Sequence, residues 1–380
     1  MILIDTDPVP SFRIKLELED GSEYEGIGVG FEAPVSGEVV FNTGMTGYTE
    51  ALTDPSYAGQ ILVFTYPLIG NYGVPSTDSH FPPADDFQSR RVQVEGVIVQ
   101  RLAEHHSHHR ATRSLEQWLR AAQVPLMTGI DTRALTQRLR GHGTMHGLLY
   151  PAGMSAALAR REARGVEMQR EVFQRVAPAE PVIYPGGELR VMLVDAGAKD
   201  GIARCLCERG AAVVRVPWHA DLQLLARDVD GILIGNGPGD PSDLGELTAQ
   251  VRTLLARFNG PIFGVCLGHQ ILARAAGLDT YKLPYGHRGI NQPVQDIVSG
   301  RCYVTSQNHG YAVGDPKGMP DCEPWFVNLN DGTNEGLRWR DRPFFSVQFH
   351  PEGRPGPRDT EFLFDHFLRV VGELRSARPA

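Results

Sequence analysis

Phe12, Ile14, Leu16 and Leu18 are apolar, and Arg13, Lys15 and Glu17 between them are charged. This period of two predicts a half-buried strand, and Asp20-Gly21 supplies the turn that ends it. The Gly-rich stretch at 26–30 and the short apolar runs at 38–41 and 60–64 extend the same texture, so the first half reads as β-rich. Helices are predicted at 114–122 and near 132–140, with Asp131 or Thr132 as N-cap of the second. Residues 151–188 read as a connector. Ala and Arg dominate 156–164, Gly165 interrupts, and Pro178, Pro181, Pro185, Gly186 and Gly187 follow, which suits a broken helix and a stiff linker.

The pattern changes at Leu189. Short apolar runs at 191–194, 212–216, 231–234 and 261–265 alternate with helical stretches at 201–209, 247–258 and 267–276, and Gly210 and Gly277 close two of these. Repeated β-α units predict a mostly parallel sheet with helices on both faces. Ligands in such sheets bind beyond the carboxyl ends of the strands. The expected organisation is therefore a β-rich domain over 1–150, a connector over 151–188 and an α/β domain over 189–380.

Composition narrows the class. Of 380 residues, 42% are hydrophobic and 22% charged, which excludes a disordered chain. The first fifty residues hold ten acids against Arg13 and Lys15, which accounts for the whole formal charge of −8. No Lys/Arg-rich stripe argues for nucleic acid. No basic leader or run of ~20 apolar residues argues for secretion or a membrane span. Five cysteines (Cys205, Cys207, Cys266, Cys302 and Cys322), odd in number and confined to the second half, suit a reduced, cytoplasmic protein.

The candidate chemistry stands at strand ends. Gly264-Val265-Cys266-Leu267-Gly268 joins an apolar run to a helix, and flanking glycines leave room for a tight elbow around one nucleophile. A helix N-terminus beside the sulfur is expected to favour the thiolate. A strand predicted at 345–349 ends at His350-Pro351-Glu352. In an extended chain His350 and Glu352 share a side, so Glu352 can accept from one ring nitrogen and leave the other for the sulfur. That is a nucleophile, a base and an orienter on an α/β frame. Oxyanion donors are expected from the Leu267 N–H and from the loop Gly235-Asn236-Gly237-Pro238-Gly239-Asp240-Pro241.

Cys266, His350-Pro-Glu352 and Asn-Gly-Pro-Gly-Asp-Pro together resemble the class I glutamine amidotransferases. Thr305-Ser306-Gln307-Asn308-His309-Gly310-Tyr311, Phe41-Asn42-Thr43-Gly44-Met45-Thr46-Gly47-Tyr48, Leu52-Thr53-Asp54-Pro55-Ser56-Tyr57, Gly70-Asn71-Tyr72-Gly73 and Gly129-Ile130-Asp131-Thr132-Arg133 narrow this. They resemble the small, glutamine-hydrolysing subunits of carbamoyl phosphate synthases. The resemblance implies a β-rich N-terminal domain of the swivelling β/β/α type and a flavodoxin-like amidotransferase domain. It implies Cys266 as nucleophile, His350 as general base and Glu352 as its orienter, with glutamine held by Gly44, Gly237, Gly239, Leu267, Gln270, Asn308, Gly310 and Tyr311. It further implies delivery of ammonia to a separate large subunit that makes carbamoyl phosphate from bicarbonate and ATP with Mg, for arginine and pyrimidine biosynthesis. No cofactor is implied in this chain, which has no Gly-x-x-x-x-Gly-Lys-Ser/Thr loop. The alternatives are a member of the same class feeding a different synthetase and a non-catalytic regulatory or scaffold subunit.

Gly44 stands where some members carry a serine, so a backbone contact is expected there. Asp195-Ala-Gly-Ala-Lys199 keeps the family's lysine, but Asp200-Gly201 and Gly353-Arg354 depart from the usual residues. No metal is expected. His105, His106, His108 and His109 read as a solvated loop, and Cys205 and Cys207, two apart on a helix, point in different directions.

Overall fold

The computed structural model describes residues 11–76, 87–165 and 170–377. They form two compact units. The first comprises residues up to Leu52, then Gly59–Asp78 and Arg91–Val166; the second comprises Thr53–Ala58, Ser79–Arg90 and Glu167–Ala380. The segment 151–188 is thus divided between them. Helix Ala156–Glu162 belongs to the first, whereas helix Arg170–Val176 and strand Val182–Tyr184 belong to the second.

The first unit is a closed barrel. Strand Phe12–Leu18 pairs with Met145–Pro151, and the order continues through Val35–Asn42, Gln60–Phe64, Gly96–Ile98, Pro125–Thr128 and Glu23–Gly30 back to the start. The alternation at the chain's start buries Ile14, Leu16 and Leu18, and Gly21 takes a left-handed φ of 81° in the hairpin. Closure leaves no sheet edge. Ser114 starts helix Leu115–Ala121 with a reciprocal capping box, and Asp131 caps Thr132–His142 by accepting from the Ala134 N–H.

The second unit holds a ten-stranded sheet. Its parallel core runs Ala212–Pro217, Arg190–Asp195, Gly231–Ile234, Ile262–Val265 and Phe344–Val347. Val191, Leu193, Leu233, Phe263, Val265 and Val347 are all buried, because helices cover both faces of the parallel strands. Val182–Tyr184 adds antiparallel at one edge. Beyond Phe344–Val347 the sheet continues antiparallel through Asn334–Trp339, Cys302–Val313, Thr280–Asp296 and Cys322–Asn328. Helix Leu267–Ala276 leaves the central strand so closely that a Cβ on Gly268 would sit 2.0 Å from the Ile234 carbonyl oxygen. Among the described residues no helix is long and apolar enough to cross a membrane.

Candidate active site

Four parallel strands deliver Lys199, the loop 235–241, Cys266 and His350 from their carboxyl ends. Val265 and Val347 are register partners, and the Cys266 N–H donates to the Val347 carbonyl at 2.9 Å. Cys266 therefore follows one strand directly, while 348–352 follow its neighbour. Cys266 has φ 55° and ψ −106°, an unfavourable conformation for a residue with a Cβ, and the helix begins at Leu267. Such strain at a strand-to-helix turn projects a side chain away from the sheet. Its Sγ lies 3.7 Å from the Asn308 carbonyl oxygen.

His350 and Glu352 are both fully buried and bonded, Nδ1 to Oε1, at 2.6 Å. The expected alternation is not what joins them. The regular strand stops at Val347; His350 makes a single bridge to Ser306, and its carbonyl accepts from the Gly353 N–H in a turn. The turn folds Glu352 back beneath the ring. His350 Nε2 is buried and has no hydrogen-bond partner among the described residues.

Lys199, at the end of the loop after Arg190–Asp195, donates from Nζ to the same Glu352 Oε1 at 3.0 Å. Burial alone would raise the Glu352 carboxyl, but Lys199 and His350 pull it down to about 2. Burial likewise opposes the Lys199 ammonium, and Glu352 and Asp54 outweigh it, so Lys199 is raised. The loop is held from below. Asp195 Oδ1 accepts from the Gly197 and Ala198 N–H groups, and Arg215 bridges Asp195 to Asp200. Asp200 is the helix's first residue here, so the departure at 200–201 is used structurally.

The thiol differs from expectation. Burial pushes Cys266 well above the usual thiol range, and Asp54 and Glu352 push the same way; Lys199 and the Leu267 N–H oppose them without prevailing. His269, on the same helix, is pushed down to about 3 by burial, which leaves it neutral against Ser346 Oγ at 2.9 Å.

Gln270 lies one turn after Cys266. Its Nε2 donates to the Tyr311 carbonyl at 2.8 Å and to Gln348 Oε1 at 3.1 Å. Asn308, Gly310 and Tyr311 lie on strand Cys302–Val313, whose polar sequence hid it from apolar periodicity. Gly237 packs against the Ala196 carbonyl and Leu267, and Gly239, at φ 77°, packs against Phe173. Cys266, Leu267, Gln270, Gly237, Gly239, Asn308, Gly310, Tyr311, His350 and Glu352 thus belong to the second unit. Gly44 belongs to the first, where its N–H donates to Asn42 Oδ1 at 2.6 Å.

Sequence reasoning singled out Lys199 only as a lysine that the family keeps, placed Asn236 only within the oxyanion loop, and gave no role to Gln348 or Asp54. Position after a strand was the available signal for Gln348; Asp54 was visible only as part of a motif. His287, His309 and Glu335 bring donor atoms within 4.8 Å of one another. His287 Nε2 is 2.8 Å from Asp331 Oδ2, and Nδ1 is 3.6 Å from Glu335 Oε1. Burial disfavours charge on His287, but Glu335 and Asp331 prevail and raise it. His105, His106, His108 and His109 are exposed in a loop, and all five cysteines are free, with Cys205 buried and Cys207 half-buried.

Residues 16–149 match the model for the carbamoyl-phosphate synthase small chain, CPSase domain, and residues 192–370 match that for class-I glutamine amidotransferases. The carbamoyl phosphate synthase small chain of Symbiobacterium thermophilum is 48% identical over 362 residues, covering 93% of this chain and 97% of that protein. That of Oceanobacillus iheyensis is 45% identical over 359 residues, covering 94% and 95%. The arginine-specific small chain of Emericella nidulans is 42% identical over 382 residues, covering 98% and 82%.

Proposed function

The chain belongs to the small-chain family of carbamoyl phosphate synthases, and on that premise we propose how its geometry hydrolyses glutamine. It is the glutaminase subunit, and a large subunit is its partner. Cys266 attacks the side-chain carbonyl carbon of glutamine while its proton passes to His350 Nε2. The Leu267 and Gly239 N–H groups stabilise the oxyanion. His350 returns the proton to the departing ammonia, and the thioester forms. His350 then draws a proton from water, and glutamate leaves as the sulfur recovers its hydrogen. Gly237, Gln270, Asn308, Gly310 and Tyr311, all of the second unit, hold the substrate's amino-acid end. Ammonia passes to the large subunit, which uses bicarbonate, ATP and Mg to make carbamoyl phosphate for arginine and pyrimidine synthesis in the cytoplasm; this chain needs no cofactor of its own.

The observation that carries the reading is the buried series Lys199–Glu352–His350. Two bonds to one carboxylate oxygen fix the ring and its Nδ1–H tautomer, and the bare Nε2 is left available as a base. The test is Cys266→Ser in the complex with the large subunit. A hydroxyl hardly ionises near neutral pH, so glutamine-dependent synthesis of carbamoyl phosphate should vanish while synthesis from free ammonia persists. Retention of the glutamine-dependent rate would show that Cys266 is not the nucleophile.

A further inference from the structure

Residues 53–58 interrupt the first unit's sequence yet belong to the second, although the chain on both sides, up to Leu52 and from Gly59, packs with the barrel. Within this segment Asp54 is buried, and both of its oxygens are engaged. Oδ1 accepts from the Ser56 N–H at 2.9 Å, and Oδ2 accepts from Asn308 Nδ2 at 3.0 Å. Asn308 is the residue whose carbonyl faces Cys266 Sγ. Ser56 Oγ in turn accepts from Asn236 Nδ2 at 2.9 Å, and Asn236 Oδ1 accepts from the Lys199 N–H at 2.8 Å. Six residues therefore anchor the nucleophile's carbonyl partner through Asp54 and the backbone of Lys199 through Ser56.

We propose, resting on the amidotransferase reading above, that Asp54 is a positioning residue for Cys266: it fixes Asn308 and sets a negative charge against that of Lys199. The donors to its carboxylate are neutral, and among the described residues no cation lies within ion-pair distance of it. A buried carboxylate without a cation of its own is costly, so its persistence beside a nucleophile calls for a use. The charged groups that bear on the sulfur are Asp54, Glu352 and Lys199, with the Leu267 N–H dipole. Of the charges, Asp54 is the one that most favours the protonated thiol.

The experiment follows alkylation of the Cys266-containing peptide by iodoacetamide against pH, by mass spectrometry, in the complex with the large subunit. The proteins are wild type, Asp54→Asn, Asp54→Ser and Asp54→Glu. Asparagine and serine both keep an acceptor for the Ser56 N–H, so at least one should preserve the turn. Either, when folded, should move the alkylation midpoint at least about one pH unit lower and raise the rate at neutral pH about tenfold. Asp54→Glu, which keeps the charge, should stay near wild type in midpoint while raising KM. An unchanged midpoint in folded Asp54→Asn or Asp54→Ser overturns the proposal, because a merely structural role would not move it. Failure of the glutaminase reading is distinguished separately: glutamine would then not protect Cys266 from alkylation in the wild-type complex.

Discussion

Glu352 carries two partners on one oxygen, and that arrangement makes it the residue whose loss is most revealing. Replacing it with glutamine leaves the Lys199 ammonium buried without its ion-pair partner, which costs about 3–5 kcal/mol in comparable pairs. The double change Glu352→Gln with Lys199→Met removes both charges and should recover most of that stability. Glutaminase activity should not return, because a neutral amide no longer stabilises the imidazolium that forms when His350 takes a proton, and its NH2 group can donate to Nδ1 and favour the wrong tautomer. Urea denaturation at neutral pH, with a glutaminase assay beside it, checks both halves; equal stability of the single and double variants would sink the argument. The pH dependence has a definite sign. The folded carboxyl stands at about 2, below its ordinary 4.5, so the pair's contribution is fully present above about pH 4.5 and is lost as pH falls towards 2. The wild type should show that acid-side loss, and the double variant should lack it.

At the scale of elements, the site depends on how closely helix Leu267–Ala276 approaches strand Gly231–Ile234. A Cβ on Gly268 would meet the Ile234 carbonyl oxygen at 2.0 Å and its carbon at 2.7 Å, both backbone atoms that cannot swing aside. Gly268→Ala should therefore destabilise the protein by about 1–3 kcal/mol and lower kcat further by displacing the Leu267 N–H. Gly245→Ala is the control. That glycine starts a helix with open space around it, and the change should be neutral or slightly stabilising. Paired denaturation and kinetic measurements decide. The parallel strands were legible because each is a short apolar run buried on both faces. Thr280–Asp296 and Cys302–Val313 were not, because their sequences are polar and register shifts at Lys282/His287 and Gly289/Gln292 break the alternation. The His350–Glu352 contact was expected for a reason that turned out to be local, a turn in place of an extended chain. Asp54 and Asn308 are 254 positions apart, and no local pattern could join them.

Across the whole molecule, charge behaves differently from its position along the chain. The first fifty residues hold ten acids and two bases, a concentration that on its own predicts a strongly salt-sensitive association with the large subunit. Folding offsets part of it. Arg160 and Arg138, from far along the sequence, pair with Glu17 and Asp20; Arg13 and Lys15 pair with Glu25 at 2.8 and 3.0 Å. Glu38 accepts from Gln60 Nε2 and Thr144 Oγ1. Asp5 and Asp7 lie outside the described residues. Exposed pairs of this kind add little stability, but each cancels a charge that would otherwise reach a partner across the solvent. The dissociation constant of the two-subunit complex should therefore rise by less than about tenfold between about 50 and about 500 mM salt. Sedimentation or calorimetric titration across that range measures it. A rise of about a hundredfold or more would mean that these acids exchange their internal partners for cations on the large subunit. Arg138→Gln and Arg160→Gln, which free Asp20 and Glu17, would then leave the complex as tight as before or tighter. If the internal pairs persist in the complex, the same variants should instead make association measurably more salt-dependent than in the wild type.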